Sequence, residues 1–221
     1  MDILVFDNIR KSFADGEGGT RTVLHGISFT LAEGEFLAVT GPSGSGKTTL
    51  LKIAGSLLAP DSGRCLVDGI DPAACTDLPA FRNRKIGFVF QDHRLLPQLT
   101  VLQNVLLPAL AGAETAAAET REYALSLLDY TGIRDLAGKY PAAISGGEAG
   151  RAALCRALVL KPRLILADEP TGQLDRDNAL KTASLLSRIS KDFKTGVVMV
   201  THSEEIAALA DRRISLYGQE K

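Results

Sequence analysis

Three short stretches carry side chains whose types and spacing suit chemistry on a phosphate. GPSGSGKT, Gly41 to Thr48, spaces three glycines ahead of a lysine and a hydroxyl. Glycines let successive backbone N–H groups turn toward a phosphate, and a helix starting at the end of such a loop adds its positive pole. Lys47 is then placed for the β- and γ-phosphates of a nucleotide, and the Thr48 hydroxyl for Mg²⁺. RLILADEP, Arg163 to Pro170, is an apolar run emptying into two acids. Acids at the C-terminal end of a parallel strand face the crevice where ligands sit. Asp168 suits Mg²⁺, and Glu169 suits orienting and deprotonating a water that attacks the γ-phosphate. GVVMVTH has the same design and delivers His202 to a strand end, within reach of the same γ-phosphate. Gln91 closes the run KIGFVF; a neutral amide there can touch Mg²⁺ or the attacking water. His25 and His93 carry no such context and read as structural histidines.

ISGGEAGRAAL, Ile144 to Leu154, puts the pair Gly146-Gly147 at a helix mouth, with Glu148 and Arg151 in its first turns. Paired glycines there mean a backbone that bends or comes close to something. The residues alone do not say what approaches.

Alternating apolar strands and helical runs must hold these groups. ILVFDNI and TVLHGISFTL read as strands around the polar turn ADGEGGT, EFLAVT as a strand before the phosphate loop, and KTTLLKIAGSLL as a helix after it. RCLVDG and KIGFVF are further strands. From 92 to 140 the chain turns Leu- and Ala-rich, with a helix from Ala113 to a stop at Gly132. Its leucines and valines (Leu95, Leu96, Leu99, Val101, Leu102, Val105 and Leu106) read as the core of an inserted helical unit, some of them lining a groove for a partner's helix. Later come a helix to Leu160, the strand RLILAD, the helix DNALKTASLLSRISKD and the strand GVVMVTH. The expected fold is α/β: a parallel sheet covered on both faces, with an N-terminal antiparallel β part and an inserted helical part.

Composition narrows the class. A net charge of −1 gives no support for nucleic acid as a partner. Three cysteines without metal or CxxC spacing suit a reducing compartment. The N-terminus does not read as a signal peptide, and no apolar run is long enough to span a bilayer, so a cytosolic chain that meets a membrane only through a partner is expected.

With these motifs in order, the sequence resembles the ATP-binding subunits of ABC transporters, over essentially its whole length. Gly41 to Thr48 resembles the family's phosphate loop, Gln91 its Q-loop and SGGE at Ser145 to Glu148 its signature. LILADEP is similar to the Walker B strand, Gly172 to Asp175 to the D-loop and His202 to the switch histidine. The resemblance implies a P-loop NTPase core at about 1–91 and 141–221, with a helical subdomain at about 92–140. It implies ATP and Mg²⁺ as cofactors, with Gly41, Pro42, Ser43, Gly44, Ser45, Gly46, Lys47, Thr48 and Thr49 enclosing the phosphates. Thr48, Gln91 and Asp168 stand at the metal, Glu169, His202 and Lys47 in catalysis, and Phe13 where most members stack a tyrosine on adenine. It further implies a head-to-tail homodimer in which Ser145, Gly146 and Gly147 meet the partner's ATP and Asp175 couples the two sites.

QDHRLLPQLTVLQNVLLPAL with DEPTGQLD is most similar to the lipoprotein-release, macrolide-export and cell-division branch. A separate transmembrane permease, and a place on the cytoplasmic face of the cell membrane, follow from that resemblance. Export or extraction is the leading expectation; ATP-dependent signalling to a membrane complex is the alternative. Ala149-Gly150 departs from the family's glutamine-rich continuation. Glycine inside a helix costs roughly 1 kcal/mol relative to alanine, and slow turnover without the partner is expected.

Overall fold

The computed structural model describes residues 1–15, 18–111 and 118–216. Part of the turn expected at 14–20 and the first residues of the helix expected from Ala113 lie outside these.

A five-stranded sheet runs in the order β5-β6-β7-β3-β8, with every neighbouring pair parallel. Its strands are β3 (Phe36–Thr40), β5 (Ile86–Val89), β6 (Leu164–Asp168), β7 (Gly196–Val200) and β8 (Arg212–Ser215). A three-stranded antiparallel sheet, β2-β1-β4, is built from β1 (Asp2–Ala14), β2 (Thr20–Ala32) and β4 (Ser62–Val67).

The parallel strands divide two cores between them by residue parity. Phe36, Ala38, Ile165, Ala167, Val197 and Met199 point into one cluster, while Leu37, Val39, Leu164, Leu166, Val198 and Val200 point into the other. Side chains alternate faces along a strand, so apolar runs without alternation must be buried on both sides. The first cluster is filled from α3 (Val101–Leu110), α4 (Ala118–Tyr130), α5 (Gly146–Leu158) and α6 (Arg176–Asp192). The second is closed by α1 (Lys47–Ala54) and the antiparallel sheet.

Several elements differ from the sequence reading. Helix α2 (Leu78–Lys85), α7 (Glu204–Ala207) and the edge strand β8 carry too little apolar periodicity to be read. Residues 92–100 form a loop rather than helix. Buried Asn104 explains this: its Oδ1 accepts from Leu96 N, and its Nδ2 donates to the carbonyls of Leu96, Leu99 and Thr100. Those backbone groups are satisfied without a helix. Val101, Leu102 and Val105 belong to the first core, with Leu95 and Leu106 packed against it, while Leu96 is exposed.

Candidate active site

Three parallel strands end where chemistry was expected. β3 leads into the phosphate loop, β6 ends at Asp168 beside Glu169, and β7 is followed by Thr201 and His202. Strand register sets their level: Asp168 pairs with Val200, and Val39 with Val200. Glycine is required at the end of the loop. Gly46 caps α1 with φ +96°, and a Cβ there would lie 2.9 Å from the Val23 carbonyl oxygen. The first turn of α1 holds no acid, so its free N–H groups remain available to an anion. Ser45 Oγ is buried within the loop without a hydrogen-bond partner.

Lys47 is 5% exposed, and its ammonium donates to the carbonyls of Gly41 and Pro42, at 2.8 Å each. Burial pushes its pKa down, against the pull of the Glu169 and Asp168 charges. Glu169 holds a left-handed backbone (φ +46°), which costs a non-glycine residue on the order of 1 kcal/mol. Two hydrogen bonds impose it: Glu169 N donates to the Val200 carbonyl, and Gly172 N donates to the Glu169 carbonyl. The carboxylate thereby turns toward His202, whose Nε2 lies 2.6 Å from Glu169 Oε1. With Nε2 donating, Nδ1 is left as an acceptor facing Lys47 Nζ at 3.5 Å. Burial, then the Glu169 charge, raises the pKa of Asp168. Asp168, the Thr48 hydroxyl and the Gln91 amide oxygen are all oxygen donors, the chemistry a hard divalent cation takes.

A cavity of about 370 Å³ joins the phosphate loop to Phe13, Glu169 and His202. Arg21 and Val23 line it too, and the sequence reading singled out neither. Phe13 is 42% exposed and sits opposite Arg21 in the β1–β2 ladder. Ser145, Gly146 and Gly147 do not border this cavity. They lie beside the turn before α6, with Leu174 and Asn178 as the neighbours of Gly146 and Gly147. Ser145 caps α5 in a reciprocal box: Glu148 N donates to Ser145 Oγ, while Ser145 N and Oγ both donate to Glu148 Oε2. Asp175 caps α6, accepting from Asn178 N and Nδ2. Gln91 packs its amide against Gly172, in the turn that follows Glu169.

Gly150 packs against the loop that follows Gln91. Gly150 is buried against the His93 ring, and a Cβ there would meet Cε1 at 3.4 Å. His93 is 7% exposed, and its own carbonyl and that of Arg94 accept from the Arg156 guanidinium at 2.6 Å each. The loop after Gln91 is thus seated on the signature helix. Burial, with the Arg156 charge, holds the His93 pKa below its ordinary 6.5.

Comparison with known proteins identifies the family. The sequence profile of the ABC transporter family matches residues 24–172. The chain is 43% identical to the lipoprotein-releasing system ATP-binding protein LolD of Psychrobacter arcticus, over 97% of this chain and 95% of that one. It is also 43% identical to the ABC transporter ATP-binding protein YvrO of Bacillus subtilis, over 96% and 92%. Among solved structures, the dimeric bacterial ABC transporter cassette MJ0796 superposes with a TM-score of 0.84 at 37% identity, covering 96% of this chain and 93% of that one. Its post-hydrolysis dimer bound to ADP and Pi gives 0.82 at 38%. This chain belongs to the ABC transporter family, as an ATP-binding, ATP-hydrolysing subunit.

Proposed function

We propose that the chain powers a lipoprotein-releasing assembly, acting as a head-to-tail pair beneath a separate membrane permease. The observation that carries the reading is a separation within one chain. The cavity at the phosphate loop is bordered by Lys47, Glu169 and His202, whereas Ser145 and Gly147, at another helix N-terminus, stand apart from it. Two copies in opposite orientation bring each helix start to the other's cavity, and the dimeric relative supports that arrangement. In this reading residues at about 92–140 are the helical subdomain, and those at about 1–91 and 141–221 the catalytic core.

Thr48, Asp168 and Gln91 would hold Mg²⁺, which would neutralise phosphate charge during transfer. In the cycle we infer, Lys47 exchanges the Gly41 and Pro42 carbonyls for phosphate oxygens. His202 turns from Glu169 to the γ-phosphate, and the freed Glu169 takes a proton from the attacking water. Ser145 and Gly147 of the second copy donate to the γ-phosphate oxygens, where charge stabilisation speeds the transfer. Asp175 lies at the seam between the copies, and Phe13 stacks on the adenine.

The permease has a fitting surface. A groove of about 610 Å³ runs between α2, β5 and the end of α3, lined by Pro79, Arg82, Asn83, Phe88, Arg94 and Pro108. None of the leucines expected to line such a groove does so; they serve the core or lie elsewhere. Among the described residues no helix is long and apolar enough to cross a membrane. Attachment through the permease puts the chain on the cytoplasmic face of the cell membrane. Reconstitution of the complex in liposomes is the test: ATP should drive release of a lipid-modified protein. Hydrolysis in the complex with no release would refute the extraction reading and favour signalling.

A further inference from the structure

Arg21 stands at the lip of the phosphate-loop cavity, and nothing in the packing of the described residues accounts for it. In the β1–β2 ladder it lies directly opposite Phe13, and residues opposite one another across an antiparallel pair share a face. Ring and guanidinium therefore flank the same opening. Arg21 Nη2 lies 3.8 Å from the position a Cβ on Gly44 would take, so the guanidinium runs along the middle of the phosphate loop. The residue is exposed and makes no hydrogen bond or ion pair among the described residues. The neighbouring cation at this cavity, Lys47, already donates to two carbonyls of its own loop. Among the described residues Arg21 is therefore the cationic side chain at this cavity whose donors are not already engaged. A guanidinium offers five donors in a planar fork that matches phosphate oxygens.

We propose that Arg21 contacts the phosphate tail of the bound nucleotide, holding it against the loop at Gly44 while Phe13 carries the base. It sets affinity for the nucleotide and leaves the rate of hydrolysis to Lys47, Glu169 and His202. The inference rests on reading this cavity as the nucleotide site.

Titrations of ATP, ADP and adenosine into the full chain test it, with Arg21→Ala, Arg21→Lys and Lys47→Ala compared. Arg21→Ala should weaken ATP and ADP about tenfold, the scale of one lost charge-assisted contact. Adenosine binding should not change. KM for ATP rises while kcat at saturating ATP stays the same, and ATP affinity falls less steeply with added salt. Arg21→Lys keeps the charge without the fork and should recover part of the loss. Unchanged ATP affinity in Arg21→Ala overturns the inference, as does an equal loss for ATP and adenosine, which would assign the guanidinium to the base. If Lys47→Ala leaves ATP binding intact, the cavity is not the nucleotide site and the inference falls with that reading. If Lys47→Ala abolishes binding while Arg21→Ala changes nothing, only the role of Arg21 is lost.

Discussion

At the residue scale, the arrangement to explain is a carboxylate held ready but occupied. Glu169 is turned out of the strand by its left-handed backbone and meets His202 before it meets a water. If it is the base, Glu169→Gln should lower kcat by roughly 10²–10⁴-fold and leave an ATP-bound dimer that gel filtration can resolve. A variant with near-normal turnover would remove Glu169 from that role. Gly150 makes a second residue-scale case. It sits inside α5, where alanine is favoured by about 1 kcal/mol, yet the His93 ring fills the space beside it. A single methyl reaches ordinary contact distance, so Gly150→Ala should raise the unfolding free energy by up to about 1 kcal/mol. Gly150→Gln must compete with the ring and should lower it by roughly 1–3 kcal/mol. Denaturant unfolding of the two variants measures both.

Element ends matter as much as element interiors. Helices α5 and α6 both begin with a side chain that satisfies their own N–H groups, Ser145 with Glu148 in one case and Asp175 in the other. Ser145→Ala should cost about 1 kcal/mol as a lost cap. As a residue proposed to reach ATP, it should also reduce turnover under conditions where the variant is fully folded. A helical signal by circular dichroism with normal hydrolysis would leave Ser145 as a cap only. Helix α2 walls the groove proposed for the permease. Ala80→Arg on its lining should abolish co-purification with the membrane subunit while leaving ATP binding by the isolated chain intact. Retained co-purification would move the docking site elsewhere.

For the whole molecule, charge and burial set the response to acid. His93 titrates below 6.5 in the folded chain, Glu148 below 4.5 and Asp175 below 3.8. The causes are burial for His93, hydrogen bonds from Ser145 for Glu148, and hydrogen bonds from Asn178 for Asp175. In each case the unfolded chain takes up its proton first as pH falls. Stability present above pH 6.5 is therefore lost in two limbs, one beginning near 6.5 with His93 and a second through the carboxylate range. Urea midpoints from pH 7.5 down through the carboxylate range, to about pH 2.5, would display both, and His93→Gln should flatten the first. Burial also pushes the Cys65 and Cys155 thiols up to about 12. Alkylation of the native chain should stop at Cys75, which mass spectrometry reads directly.

The sequence by itself determined the chemistry at the strand ends. Asp168, Glu169 and His202 each come at the end of a continuous apolar run, and such a run forces a doubly buried strand and a defined exit for the polar residues after it. Phosphate-loop glycines and helix caps are likewise local, set by backbone angles and by partners a few residues away. Only the tertiary structure decided matters that depend on residues far apart in the chain. Arg21 reaches the cavity because the β1–β2 register puts it across from Phe13. Gly150 faces the His93 ring because a loop before α3 lays that residue on α5. The groove proposed for the permease is walled by α2, whose polar residues carry no periodic signal. The distance of the Ser145 helix start from the phosphate-loop cavity is of the same kind, because motif order along a chain carries no information about which cavity a helix start borders.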